Sequence, residues 1–94
     1  MSVVDSLDNK RGAVAVGDYT SKKRYAFVYL TCSGPGKIDL IVEPLGTYQL
    51  VCDQTGIGSL NQFEVGAAKD YSVSVKGREG QTWAITVAES NKMD

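Results

Sequence analysis

Apolar and polar residues alternate with a period of two along most of this chain. Glycine-containing turns interrupt the alternation about every eight to twelve residues, the pattern of an all-β sandwich or barrel. Seven strands are expected: Arg11–Gly17, Lys23–Cys32, Lys37–Glu43, Thr47–Asp53, Asn61–Val65, Asp70–Lys76 and Thr82–Glu89. No segment has a helical period, and Gly66-Ala67-Ala68-Lys69 supports at most a single turn.

The closing strands are the cleanest. Tyr71, Val73 and Val75 oppose Ser72, Ser74 and Lys76, while Trp83, Ile85 and Val87 oppose Ala84, Thr86 and Ala88. KGREGQ between them reads as a hairpin turn that buries the odd positions, and Phe63 and Val65 continue that face one strand earlier. Trp83, the largest apolar body in the chain, is expected at the centre of the core. In the middle strands Val28, Leu30 and Cys32 form one face, matched by Ile38, Leu40 and Val42 and then by Tyr48, Leu50 and Cys52. The opposite face is also apolar, with Tyr25, Phe27, Tyr29, Ile41 and Val51. A strand apolar on both faces is either covered twice or presents a contact surface.

Register bears on the two cysteines. Pairing Ser33 with Lys37 across Gly34-Pro35-Gly36, and Glu43 with Thr47 across Pro44-Leu45-Gly46, puts Cys32 and Cys52 on either side of Ile38. They would then be two strand spacings, roughly 9.5 Å, apart. A disulfide needs Cα atoms within about 7 Å. A flat meander therefore predicts free thiols. A bonded pair predicts a corner at Pro44-Leu45-Gly46 that carries the next strand to the opposite sheet.

Composition adds mainly exclusions. Ninety-four residues make one domain, with 1–10 expected as a flexible N-terminal segment, 11–90 as the β-sandwich and 91–94 as a flexible tail. A net charge of −1 gives no global attraction to nucleic acid or anionic lipid, and no apolar run is long enough to span a bilayer. MSVVDSLDNKRG lacks the basic-then-apolar order of an export leader.

The run Cys32-Ser33-Gly34-Pro35-Gly36, an apolar strand, a second cysteine twenty residues on and the closing Trp83-Ala84-Ile85-Thr86-Val87 resemble a group of small β-domains. These are exported or lipid-anchored actinobacterial domains of unknown function, and the likeness spans Tyr25 to Ala88. It implies a Cys32–Cys52 disulfide and an extracytoplasmic location, secreted or at the cell surface, and it carries no catalytic residue.

Catalytic chemistry finds little to use. With no histidine in the chain, Ser-His-Asp and Cys-His catalysis and nearly every catalytic zinc site are excluded. Gly34-Pro35-Gly36-Lys37 lacks the first glycine and the final hydroxyl of a phosphate loop and joins two strands, so it reads as a turn. Asp39 and Glu43, with Asp53 on the next strand, read as solvated carboxylates. Asp53-Gln54-Thr55 and the glycines after it offer calcium a single carboxylate in a loop of no EF-hand spacing. Neither a metal nor a cofactor is expected, and the chain is read as no enzyme. Ser21-Lys22-Lys23-Arg24, with Lys10, Arg11 and Lys37 and flanked by Tyr19 and Tyr25, reads as edge protection in preference to a nucleic-acid platform.

The expected fold is an antiparallel β-sandwich of about seven short strands, immunoglobulin-like or jelly-roll-like. The expected function is a non-enzymatic extracytoplasmic interaction or accessory domain. Tyr25, Phe27, Tyr29, Ile41 and Val51 form its contact face for a protein partner or for self-association. Two alternatives stand beside it: a carbohydrate-binding module using Tyr25, Tyr29 and Tyr48, and a secreted inhibitor or toxin-like protein acting through the loop Asp53 to Ser59.

Overall fold

The computed structural model describes residues 2–52, 59–66 and 69–92. Among the described residues there are eight strands and no helix: β1 (Ser2–Lys10), β2 (Ala13–Thr20), β3 (Tyr25–Ser33), β4 (Lys37–Glu43), β5 (Gly46–Val51), β6 (Ser59–Glu64), β7 (Asp70–Lys76) and β8 (Thr82–Ser90). They form two four-stranded antiparallel sheets, ordered β1-β8-β3-β6 and β2-β7-β4-β5. The first strand lies beside the last, the second beside the seventh, the third beside the sixth, and the fourth beside the fifth. A single long ribbon of paired strands wound around a core gives that order, which is a jelly roll and not an immunoglobulin arrangement.

The alternation read from the sequence sets which side of each strand faces inward. Val28, Leu30 and Cys32 of β3 meet Trp83, Ile85 and Val87 of β8 on one wall of the core. Phe63 of β6, paired with Ala26, extends that wall, and Ile38, Leu40 and Val42 of β4 with Tyr71, Val73 and Val75 of β7 make the other. Trp83 is 1% exposed, and its indole Nε1 donates to the Gly12 carbonyl at 3.2 Å, so the one polar atom of the ring has a partner.

Three expectations are corrected. Residues 2–10, expected outside the sandwich, form its edge strand β1, paired along β8 from Ser2↔Glu89 to Lys10↔Trp83. Neither Gly34-Pro35-Gly36 nor the stretch from Gly77 to Gln81 closes a hairpin, because β3 and β8 belong to one sheet and β4 and β7 to the other. Both stretches are corners, and they pack on each other. Gly34 has φ 119, and a Cβ there would lie 2.4 Å from the Gly80 carbonyl oxygen, so only glycine lets the two backbones approach. The buried Gln81 ties them together. Its amide nitrogen donates to the carbonyls of Pro35 at 2.7 Å and Lys37 at 3.0 Å, while its Oε1 accepts from Arg78 N–H at 2.7 Å.

The third correction concerns the place of the corner, since the expected disulfide is present. Cys32 and Cys52 are bonded, with Cα atoms 4.9 Å apart. A change of sheet makes this possible, but it comes at Gly34-Pro35-Gly36. The hairpin is the turn after Glu43, where the Glu43–Pro44 peptide is cis and β4 and β5 stay in one sheet. Its register is Val42↔Gly46 and Ile38↔Leu50, so each β4 residue meets a β5 partner two positions earlier than in the Glu43–Thr47 pairing. Cys52 is thereby carried past Ile38 to the corner, where its N–H donates to the Gly36 carbonyl at 2.9 Å. The bond ties the end of β3 in one sheet to the end of β5 in the other.

Candidate functional site

The same corner divides the expected contact face. Tyr25, Phe27 and Tyr29 alternate with the inward residues of β3, so they lie on the outer side of the first sheet. Ile41 of β4 and Val51 of β5 lie on the outer side of the second sheet. In sequence these five residues share a parity. In space they stand on opposite surfaces, because the chain changes sheet between β3 and β4. Tyr48, offered for a sugar, is turned inward and packs on Phe63 with ring centroids 5.2 Å apart.

On the first sheet the three aromatics of β3 do different things. Phe27 pairs laterally with Ala88 of β8 and Gln62 of β6 and is 1% exposed, although it points away from the core. Tyr29 belongs to the next row, between Thr86 and Leu60. It is 44% exposed and Leu60 is 54% exposed, so these paired side chains form an open apolar step beside a buried ring. Tyr25 carries the Arg24 guanidinium 5.3 Å from its ring centroid, and Arg24 also meets Glu64 at 3.2 Å. Leu60 lies one residue ahead of the expected strand Asn61–Val65, within the observed β6. Extending the alternation of Asn61, Phe63 and Val65 backwards would have placed Leu60 on the outer side.

One end of the sandwich is polar. Here the Tyr71 hydroxyl donates to Glu89 Oε2 at 2.6 Å, and Glu89 Oε1 accepts from Lys22 N–H at 2.9 Å, so this nearly buried carboxylate has a partner on each oxygen. The Tyr19 ring lies 5.4 Å from that of Tyr71, and its hydroxyl donates to Asp5 Oδ2 at 2.9 Å. Burial first, and then the bond to a carboxylate, push both phenols well above their ordinary value near 10, so both hydroxyls remain donors. Ser21 is buried beside them. Its hydroxyl donates to the Gly66 carbonyl and accepts from Lys69 N–H at 3.1 Å. A cleft of about 610 Å³ opens at this end between β1 and β2, with Val3, Tyr19, Lys22, Lys23 and Glu89 in its lining.

The basic cluster read from the sequence is also divided. Lys22, Lys23 and Arg24 lie in the β2–β3 connection at the polar end, whereas Lys10, Arg11 and Lys37 belong to the opposite end with the corners. Asp39 is held by Gln49 at 3.2 Å and Arg78 at 3.8 Å, contacts that give it a place on the sheet surface. No group of three or more metal-ligating side chains occurs among the described residues. The calcium loop Asp53-Gln54-Thr55 lies outside the described residues, and so does nearly all of the inhibitor loop from Asp53 to Ser59. No helix among the described residues is long and apolar enough to cross a membrane. Searches against family models, curated proteins and solved structures find nothing that matches this chain.

Proposed function

We propose that this chain is a non-enzymatic interaction module that works outside the cytoplasm and contacts a protein partner through the outer surface of its first sheet. The observation that carries the reading is the exposed Tyr29–Leu60 pair, held in register on a rigid sheet beside the buried Phe27. Large apolar side chains with little freedom to lose are what protein contacts use as anchors. A sugar has less to work with. Of the three tyrosines considered, Tyr48 faces inward and Tyr25 already carries Arg24, which leaves Tyr29 as the open ring. The location rests on the Cys32–Cys52 disulfide, since such bonds persist in oxidising compartments.

The test places a photo-crosslinking residue at position 29, with a control at the exposed Thr47 on the opposite surface, in contact with the source organism's cell-surface fraction. A discrete crosslinked protein at position 29 that disappears with Leu60→Asp supports the proposal. Equal labelling at both positions, or none at position 29, refutes it.

A further inference from the structure

We infer that β1 is an exchangeable strand, and that the partner it engages is a second copy of this chain, whose β8 it joins in place of its own. β1 occupies a sheet edge, pairs with β8 alone, and its ladder slips twice, between Val3 and Asp5 and between Leu7 and Lys10. Of its apolar side chains only Leu7 packs against the core, while Val3 and Val4 are exposed. The reversal into β2 uses two left-handed residues within four positions, Asn9 at φ 53 and Gly12 at φ 73. Downstream of them the chain is pinned, because the Gly12 carbonyl accepts from Trp83 Nε1 at 3.2 Å and from Gly77 N–H at 3.0 Å. Rotation about φ of Asn9 and Gly12 therefore frees β1 and leaves β2 and the core in place.

The vacated groove specifies its occupant. It needs an antiparallel strand with an acceptor at the Tyr19 hydroxyl, an apolar residue two positions later to meet the core, and a hydroxyl opposite Thr86. Asp5, Leu7 and Ser6 of an identical chain meet all three requirements. Closed and exchanged forms make the same contacts, so the difference between them lies in the hinge and in concentration. An extended hinge relaxes Asn9, the non-glycine residue of the turn at positive φ, which favours exchange, while Gly12 is indifferent.

The experiment uses the full chain with its disulfide intact. Ser6→Cys and Thr86→Cys proteins are mixed and mildly oxidised; the native oxygens at these positions lie 3.3 Å apart. Exchange predicts a disulfide between the thiol introduced at Ser6 of one chain and the thiol introduced at Thr86 of the other. Its yield should grow with protein concentration and exceed that of collision products between two Ser6→Cys chains. A Cβ at Gly12 meets nothing within 4 Å, so Gly12→Ala penalises only the closed turn. It is expected to raise the dimerisation constant by about five- to thirty-fold per hinge, and Asn9→Gly to lower it. A chain that stays monomeric at every concentration, Gly12→Ala included, overturns the inference. So does a dimer in which the mixed link is not enriched, because that dimer uses another surface. Tyr29→Ala leaves exchange unaltered, so this inference and the proposed partner surface stand or fall separately.

Discussion

The two ends of the sandwich close the same core by different means. At the corner end close backbone packing and a covalent link do the work: Gly34 lies against Gly80, the Gln81 side chain bonds backbone carbonyls of the corner, and the Cys32–Cys52 bond joins the sheets. At the other end side chains do it, through Tyr71–Glu89, Tyr19–Asp5 and Ser21–Gly66. A covalent tie acts largely by restricting the unfolded chain and is indifferent to pH. A buried polar network contributes only while each member keeps its proton and its partner. Each end should therefore respond to a different perturbation.

The largest effect is expected at the corner end. Cys32→Ala with Cys52→Ala should cost about 3 kcal/mol in urea denaturation, given a cross-link spanning 20 residues. Exchange of the Cys52 amide, bonded to Gly36, should quicken while that of strand β8 follows global unfolding. A loss below about 1 kcal/mol would show that packing of the corners suffices without the bond. Next comes Tyr71→Phe, which strips one oxygen of the buried Glu89 of its donor and should cost about 2 kcal/mol. If it costs as much as losing the disulfide, the polar end is the stronger closure and the contrast is reversed.

The smallest effect is a pH dependence confined to the polar end. Both phenols hold their protons more tightly folded than unfolded. Their contribution is complete below the unfolded value near 10 and is lost as pH rises beyond it. Stability should therefore fall above about pH 10, and Tyr19→Phe with Tyr71→Phe should flatten that fall. A slope unchanged by both substitutions would assign it to other groups.

The inward sides of six of the seven expected strands are legible in the sequence, because alternation is local and burial enforces it. Val73, Val75, Trp83, Ile85 and Val87 are all buried as expected. What was not legible is which sheet each strand joins. A glycine turn that closes a hairpin and one that carries the chain across the core look alike, so the sequence reads Gly34-Pro35-Gly36 and the Gly77–Gln81 stretch as hairpins and joins residues of two surfaces into one contact face. β1 escaped notice because an edge strand with two bulges keeps little alternation: its inward side comprises Asp5 and Leu7. Phe27 is buried while Tyr29 on the same face is open, a difference that the alternation does not encode because it leaves an apolar outer face either covered or exposed.

The pairing of first strand with last has a consequence for how the chain is made. β4 and β5 are joined by a tight turn and can pair as soon as both have emerged from the ribosome. Cys32 and Cys52 flank that hairpin, so the covalent tie needs no later part of the chain. β1 is synthesised before every other described strand, yet its partner β8 follows all of them. Until β8 emerges β1 is an unpaired strand beside a growing scaffold, and the first sheet gains its edge strand only then.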